Sequence, residues 1–174
     1  MELWDIYDIN RQKTGQTAVR GEGLPEGGHH LVIHVCVFNS KGEMLIQQRQ
    51  PFKEGWPNLW DVSCGGSAVK GETSQMAAMR EAKEEIGLDL SLDGIKPRFS
   101  ISFDVGFDDW YIVKADPDII TLKLQHEEVK AVKWADREEI FAMIENGEFI
   151  PYFKSFIDFV FDAKDQYGAI QQRG

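Results

Sequence analysis

The chain has 174 residues, a length that suits one domain with a single buried core. Apolar residues make up 43% and charged residues 28% of the sequence, and this balance excludes a disordered or fibrous protein. The formal net charge of −10 argues against nucleic-acid polymers and anionic membranes as partners, whereas a small anionic substrate needs a bound cation or local basic residues.

Residues 1–29 predict a strand and a loop that lead into the core. Their start, MELWDIYDINRQK, has no apolar core segment, which predicts neither a signal peptide nor a membrane span. Glycines and a proline interrupt the remainder. The two cysteines, Cys36 and Cys64, lack the CxxC spacing of a metal site and are too few for a disulfide framework. We therefore expect a protein of the reducing cytoplasm.

The predicted core, residues 30–164, begins with two strands and a long loop. Residues 30–38 (HLVIHVCVF) are apolar and β-branched almost throughout, which is typical of a strand buried on both faces. A turn, NSKG, joins them to a strand at 43–49 and predicts a central hairpin. Prolines and glycines indicate a loop at 50–66, packed by its own aromatic residues, with base stacking as the alternative. These aromatic residues are Phe52, Trp56 and Trp60.

The second half of the core is predicted to hold three strands and two helices. The strands cover 98–105, 110–115 and 129–134. A helix at 135–147 begins with a capping box and ends at a glycine. A last helix at 151–164 carries an apolar stripe that predicts packing on the sheet, with a partner or membrane surface as the alternative. The capping box is Asp136 with Glu139, the glycine is Gly147, and the stripe comprises Phe153, Phe156, Ile157, Val160 and Phe161.

These elements predict an α+β fold with a mixed sheet between helical layers. The whole chain, 1–174, is expected to form one domain, and residues 165–174 to form a flexible tail. The oligomeric state is left open.

One further helix, between the loop and the third strand, carries the chemistry. Thr73 or Ser74 can cap it, and Gly87 can end it. At about 100° per residue, helical geometry divides its side chains into an apolar face and an opposite acidic face. The apolar face comprises Met76, Met79, Ala82 and Ile86, and the acidic face comprises Glu81, Glu84 and Glu85.

The acidic face predicts a metal site. A plain surface helix is the alternative, and a pair between Arg80 and Glu84 fits it. However, Glu81 and Glu85 repel each other at i, i+4 unless a cation lies between them. Carboxylates are the ligands of hard cations such as Mg²⁺, and the preceding glycines let a backbone carbonyl approach one.

The residues of this region resemble the signature of Nudix hydrolases, which is Gly, five residues, Glu, seven residues, then Arg-Glu-apolar-any-Glu-Glu-any-Gly-apolar. The matching positions are Gly66, Glu72, Arg80, Glu81, Ala82, Glu84, Glu85, Gly87 and Leu88. The resemblance implies an α/β/α sandwich and an enzyme that uses Mg²⁺, or Mn²⁺, to hydrolyse a nucleoside diphosphate derivative or another organic diphosphate.

The resemblance also implies a role for each matching residue. Glu84 and Glu85 would be the principal metal ligands, and Glu81 a further ligand or the general base. Gly66, or its neighbour, would contribute a carbonyl ligand. Arg80 and Glu72 would hold the glycine-rich loop against the helix.

The flanking segments resemble the Nudix branch that includes isopentenyl-diphosphate isomerases, which introduces allylic proton transfer as an alternative activity. The isomerases need a cysteine at the position of Gly65, whereas the thiol here is one residue earlier, at Cys64. Because a shift of one residue reverses a side chain in an extended segment, we favour hydrolysis and interpret Cys64 as structural. His30 matches an isomerase metal ligand, with a core histidine as the alternative. A catalytically silent diphosphate-binding regulator is a third possibility.

Substrate contacts are predicted outside the helix. Arg49 could bind a phosphate or form a surface ion pair, and Trp56 could stack a base. Both Nudix activities need a further carboxylate, for which Asp109 is favoured. The other candidates are Asp108, Glu127 and Glu128. The sequence leaves open nucleoside triphosphates, nucleotide sugars, dinucleotide polyphosphates and isoprenoid diphosphates as substrates.

Overall fold

The fold was analysed in a computed structural model that describes residues 1–172, so residues 173–174 of the predicted tail lie outside the described part. The strands are β1 (Leu3–Tyr7), β2 (Lys13–Val19), β3 (His30–Phe38), β4 (Met44–Arg49), β5 (Trp60–Asp61), β6 (Cys64–Ser67), β7 (Phe99–Phe103), β8 (Gly106–Lys114) and β9 (Val129–Ala135). The helices are α1 (Ser74–Ile86), α2 (Arg137–Glu145) and α3 (Lys154–Asp162).

A seven-stranded mixed sheet forms the centre of the fold. Its main path runs β5-β4-β3-β8-β7, while β6 pairs with β3 and β9 pairs with β4. The pairing of β3 with β8 is parallel, and the remaining pairs are antiparallel. Strands β1 and β2 form a separate two-stranded sheet. The predicted α+β class and mixed sheet are therefore confirmed.

Strand β3 is covered on both faces, as its apolar sequence predicts. Ile33, Val35 and Val37 lie in a buried cluster with the inner face of α1. Cys36 and Phe38 lie in the other cluster, with residues of α2 and α3. The two clusters on opposite faces of the sheet are the basis of the three-layered sandwich.

The predicted central hairpin is wrong beyond its turn. Strands β3 and β4 pair only at Phe38 and Met44, after which they separate. The hydroxyl of Ser63 fills the gap, because it accepts a hydrogen bond from Val37 N at 2.8 Å and donates one to the Leu45 carbonyl at 2.5 Å. The separation lets β6 pair with the first half of β3 and brings the glycines of β6 next to α1.

The predicted faces of α1 need correction. Its buried residues are Ala77, Ala78, Ala82, Glu85 and Ile86. Met76 is instead 48% exposed. Because the centre of the buried arc falls beside Glu85, this glutamate lies on the packed side of the helix and not opposite it. The small alanines allow α1 to approach the sheet closely.

Helix α3 covers the sheet, but its predicted stripe is one residue too long. Ile157, Val160 and Phe161 are buried, whereas Phe153 precedes the helix and is 83% exposed. The backbone of Phe153 is extended, with ψ at 130°, so its side chain falls outside the helical periodicity. In residues 1–172, none of the helices has the length and apolar composition needed to cross a membrane.

The interpretation of residues 50–66 as a loop packed by its own aromatics is also wrong. Phe52 is 61% exposed and Trp56 is 51% exposed. Trp60 begins strand β5, and the ammonium group of Lys133 lies 4.8 Å from the centre of its ring. The last residues of the segment enter β6, so this part of the chain contributes two short strands to the sheet.

Candidate active site

A polar cavity of about 360 Å³ lies between the start of β3, strand β6 and the acidic side of α1. Its acidic lining residues are Glu2, Asp61, Glu81, Glu84, Glu85 and Glu128. Its basic lining residues are Arg20, Arg49, Lys53 and Arg80, and its other lining residues are Val32, His34, Gly65, Gly66, Ser67 and Gln125. The structure therefore brings the three glutamates of α1 together with Gly66, Arg80 and Arg49, whereas Glu72 supports the cavity from behind Arg80.

Helix α1 begins and ends where the sequence indicates. The Thr73 hydroxyl accepts a hydrogen bond from Met76 N at 3.2 Å, which satisfies one of the free amides of the first turn. Gly87 ends the helix with a positive φ of 68°. These caps fix the register in which the glutamates face the cavity.

Two glycines make room for the side chains at the base of the cavity. A Cβ on Gly66 would lie 2.2 Å from Glu81 Oε1, so Glu81 occupies the space that any other residue type would fill. A Cβ on Gly65 would lie 2.6 Å from Cδ2 of His34. A side chain at Gly66 would displace the Glu81 carboxylate from its present position, and one at Gly65 would press on the His34 ring and on the Ile33 carbonyl.

Glu85 is the most enclosed carboxylate of the site. It accepts hydrogen bonds from Gln47 Nε2 at 2.8 Å and from Gly65 N at 3.3 Å. Burial, reinforced by the neighbouring negative charge of Glu81, raises the pKa of Glu85 to about 8. A bound cation would reverse this effect, because it favours the charged form.

Glu81 and Glu84 both contact Arg80. The Nη1 atom of Arg80 donates to Glu81 Oε1 at 2.9 Å and to Glu84 Oε2 at 3.1 Å. Burial raises the pKa of Glu81 to about 7 even though Arg80 acts in the opposite direction. The side chain of Glu84 is 50% exposed and is free to turn.

Arg80 also connects the helix to the glycine-rich loop. Its Nε and Nη2 atoms donate to the two carboxylate oxygens of Glu72 at 2.7 and 3.0 Å, and Nη2 donates to the Ser67 carbonyl at 3.1 Å. Glu72 in turn accepts a hydrogen bond from Val69 N at 2.9 Å. Such a bidentate pair fixes geometry better than a point charge would.

The donor set fits a hard divalent cation in its chemistry. Its side chains offer carboxylate oxygens, and burial raises the pKa values of Glu81 and Glu85, which a bound cation would lower again. Within residues 1–172, however, no three His, Cys, Asp or Glu side chains already converge as a ligand cluster. Glu81 and Glu84 are turned toward Arg80, and Glu85 toward Gln47, so joint metal binding requires side-chain rotation.

Two predicted substrate contacts lie elsewhere. Asp109 is 1% exposed, forms an ion pair with Arg11 and accepts a hydrogen bond from Ser100. It points to the α1 face of β8, whereas its neighbour Asp108 points to the opposite face, because side chains alternate along a strand. Trp56 is exposed in its loop and is absent from the cavity lining. Neither Asp109 nor Trp56 therefore lies in the cavity with the glutamates of α1.

The other three candidate acids differ in whether they face the cavity. Glu128 lines the cavity and forms an ion pair with Lys53. Asp108 accepts a hydrogen bond from Nδ1 of the cavity residue His34 at 2.8 Å. Glu127 is exposed and does not line the cavity. Of the four acids, Glu128 is therefore the one that directly faces the site.

Sequence reasoning missed Gln47, the buried partner of Glu85, and the cavity residue Asp61. Gln47 lies in an apolar strand and reaches Glu85 only because β4 passes beneath α1. Asp61, which accepts a hydrogen bond from Tyr152 at 2.8 Å, lies in a segment that its glycines and prolines mark as a loop. The Gln-Gln pair at the end of an apolar strand was the one available signal for Gln47.

The residues that invited the isomerase interpretation are placed differently from what that activity needs. His30 stacks on Trp4, with ring centres 4.5 Å apart, and is absent from the cavity lining. Cys64 is buried, and burial raises the pKa of its thiol well above the ordinary value. At Gly65, where the isomerases carry cysteine, His34 leaves no space for a side chain.

Comparison with known proteins gives the family directly. Residues 28–153 match the NUDIX domain. An uncharacterized Nudix hydrolase of Listeria monocytogenes is 51% identical over 165 residues, which cover 95% of this chain and 96% of the relative. An isopentenyl-diphosphate Delta-isomerase of Photorhabdus laumondii is 29% identical and covers 90% of this chain and 89% of its own length.

Solved structures show the same fold. The crystal structure of a Deinococcus radiodurans protein has a TM-score of 0.73 at 25% identity and covers 91% of this chain and 98% of its own. A MutT protein from Methanosarcina mazei has a TM-score of 0.62 at 21% identity, covering 79% of this chain and 95% of its own. The chain therefore belongs to the Nudix hydrolase family and is an enzyme that hydrolyses a diphosphate-containing substrate.

Proposed function

We propose that the protein is an Mg²⁺-dependent hydrolase of a diphosphate linkage in a nucleoside diphosphate derivative or another organic diphosphate, by attack of water on phosphorus. Mn²⁺ is expected to replace Mg²⁺. The observation that carries the proposal is one cavity with the three α1 glutamates on one wall and Arg49 and Lys53 among its lining.

The cation would be held by Glu81, Glu84 and Glu85, with a backbone carbonyl at Gly66. When bound, it supplies charge neutralisation for the phosphate oxygens and lowers the pKa of a water molecule. In the metal-free site Gln47 holds Glu85 and Arg80 holds Glu81, and both carboxylates would rotate away from these partners to reach the cation. Glu81 serves as a further ligand or as the general base, since its carboxylate lies in the cavity beside Glu84 and Glu85.

Basic residues of the cavity are assigned to the phosphate groups. Arg49 donates from Nε to the Gly55 carbonyl at 2.9 Å, which positions its guanidinium group beside the cavity. Its terminal amines can then bind phosphate oxygens in a forked geometry. We assign the carboxylate from outside α1 to Glu128, because it faces the cavity and Asp109 does not.

The other activities receive less support. Isomerisation needs a thiol at the position of Gly65, where His34 leaves no room. A silent regulator would not need the whole set of three α1 carboxylates that lines the cavity. The two buried cysteines are unpaired, which supports a reducing compartment such as the cytoplasm.

The test is a Mg²⁺-dependent hydrolysis screen of organic diphosphates with the wild type and Glu85→Gln. We expect Glu85→Gln to lower kcat/KM at least ~100-fold, because it removes a charged ligand from an enclosed site. Lys83→Gln is the matched control on the same helix, since Lys83 pairs with the exposed Asp89 on the solvent side.

Two results would contradict the proposal. One is the absence of hydrolysis of any diphosphate by the wild type, and the other is an unchanged rate in Glu85→Gln. Conversion of isopentenyl diphosphate to its allylic isomer, lost in Cys64→Ala, would establish the isomerase instead.

A further inference from the structure

His34 lies at the base of the cavity and has no part in the metal site described above. It projects from β3 into the cavity lining, where its side chain is 17% exposed. Its ring stacks on Trp110, with ring centres 4.4 Å apart and planes 14° apart. On the other side, Gly65 leaves just enough room for the ring edge that carries Cδ2 and Nε2. The imidazole is therefore held in one orientation.

Asp108 determines which nitrogen of His34 is available. The Nδ1 atom lies 2.8 Å from Asp108 Oδ1, so this nitrogen carries a proton and donates to the carboxylate. Among residues 1–172, Nε2 has neither a hydrogen-bond partner nor a buried position. The Asp108 pair thus leaves Nε2 as the functional atom at the base of the cavity.

Most other cations of the cavity are already engaged. Arg20 pairs with Glu2, and Lys53 pairs with Glu128. Arg80 contacts three glutamates. In the described chain, Nε2 of His34 and the terminal nitrogens of Arg49 are cavity nitrogens with no protein hydrogen-bond partner.

The electrostatic surroundings favour a charged imidazole. Burial acts to lower the pKa of His34, but the hydrogen bond and charge of Asp108, with smaller contributions from Asp61 and Glu85, raise it above the ordinary value. A protonated ring presents Nε2–H as a donor. Hydrogen bonds from charged donors to phosphate oxygens are the strong ones in proteins.

We propose that His34 is a substrate-binding residue whose Nε2–H donates to a phosphate oxygen of the diphosphate, and that Asp108 is the positioning residue that orients its ring. This inference rests on the proposed function, because it takes the ligand to be a diphosphate. With this assignment, a substrate phosphate contacts His34 at the base of the cavity, and the cation contacts the glutamates of α1.

The probe for this inference is methylenediphosphonate, a diphosphate analogue that cannot be hydrolysed. Its affinity is measured by calorimetry in the presence of Mg²⁺ for the wild type, His34→Gln and Asp108→Asn. We expect His34→Gln to weaken binding about tenfold or more, because a charged hydrogen bond is lost. We expect Asp108→Asn to weaken it by a smaller factor, since Asn can orient the ring but cannot stabilise its charge.

A control variant and a spectroscopic signal distinguish a substrate-binding role of His34 from a purely structural one. His29→Gln also removes a histidine stacked on an aromatic ring, Phe107 at 5.4 Å, but outside the cavity lining, and should leave the affinity unchanged. In ¹⁵N spectra of the histidine rings, the probe should shift the Nε2 signal of His34, which a purely structural histidine would not show.

Equal affinity of the wild type and His34→Gln would overturn the inference, and so would a His34 Nε2 signal that does not respond to the probe. A wild type that does not bind the probe would also overturn it. The hydrolysis screen decides the proposed function independently, since hydrolysis that is lost in Glu85→Gln supports that function whatever the result for His34.

Discussion

At the scale of single residues, the site depends on two positions that have no side chain. The absence of side chains at Gly65 and Gly66 creates the space that His34 and Glu81 occupy. The periodicity of α1 does not reveal this requirement, because the two glycines lie outside the helix. The requirement explains why a glycine pair precedes a helix that carries carboxylates.

Gly66→Ala tests this steric requirement. The new methyl group would collide with the carboxylate of Glu81, which lies 2.2 Å from the Cβ position. We expect kcat to fall about tenfold or more, because a small displacement of a catalytic group has a large effect on rate. Thermal unfolding should show a folded protein with a lower Tm. A variant with wild-type kcat would show that Glu81 does not need the space beside Gly66.

At the scale of elements, the separation of β3 from β4 shapes the site. This separation brings β6 beside β3 and lets Gln47 reach Glu85 from β4. Local sequence predicts the turn NSKG correctly but contains no signal for the point where pairing stops. Ser63, a residue with no sequence pattern of its own, bridges the two strands.

Ser63→Ala should destabilise the region where β3 and β4 separate. The substitution leaves Val37 N and the Leu45 carbonyl without their partner in a fully buried position. Each unsatisfied buried group costs about 1–3 kcal/mol, so we expect the free energy of unfolding to fall by roughly 2–4 kcal/mol. Urea titration measures the change. Ser40→Ala is the matched control, since the Ser40 hydroxyl is exposed, and a loss as small as that of the control would refute the bridging role.

At the scale of the whole molecule, the cavity holds negative charge that the fold does not neutralise. The chain carries a net charge of −10, and six acidic side chains line one cavity. Glu81 and Glu85 have pKa values raised from the ordinary 4.5 to about 7 and about 8. The folded protein therefore binds protons more tightly than the unfolded chain does, and its stability depends on pH.

The sign of this dependence follows from linkage. Between about pH 4.5 and 8, the unfolded chain has released protons that folded Glu81 and Glu85 still hold, so their contribution to stability is present at low pH and lost as pH rises. In a chelator, we expect Tm to fall by several degrees from about pH 6 to about pH 8.5. Mg²⁺ should raise Tm more at the higher pH, because it binds the charged carboxylates.

Glu85→Gln is the control for this pH dependence, since it removes one of the two titrating groups. Its Tm in chelator should vary less with pH than the Tm of the wild type, and Mg²⁺ should stabilise it less. A wild-type Tm that rises over the same pH range, or a Mg²⁺ effect that is larger at low pH, would contradict the assignment of these carboxylates to the cation.

The sequence alone determined the elements that depend on local chemistry. The caps at Thr73 and Gly87, the N-cap at Asp136 and the spacing of the glutamates are all short-range patterns, and the structure contains each cap. The predicted capping box is only half formed, because the Glu139 carboxylate pairs with Lys133. The family signature is equally local, because it lies within one loop and one helix. For this reason the family, the fold class and the candidate metal ligands could be predicted before any contact was known.

Only the tertiary structure decided which residues outside that stretch share the cavity. Asp108 and Asp109 are adjacent in sequence, yet they face opposite sides of β8, and the choice depends on register with β3. Glu128 reaches the cavity through the docking of its loop against the chain at Gln50. Register and loop docking arise from contacts between distant segments, so no local pattern encodes them.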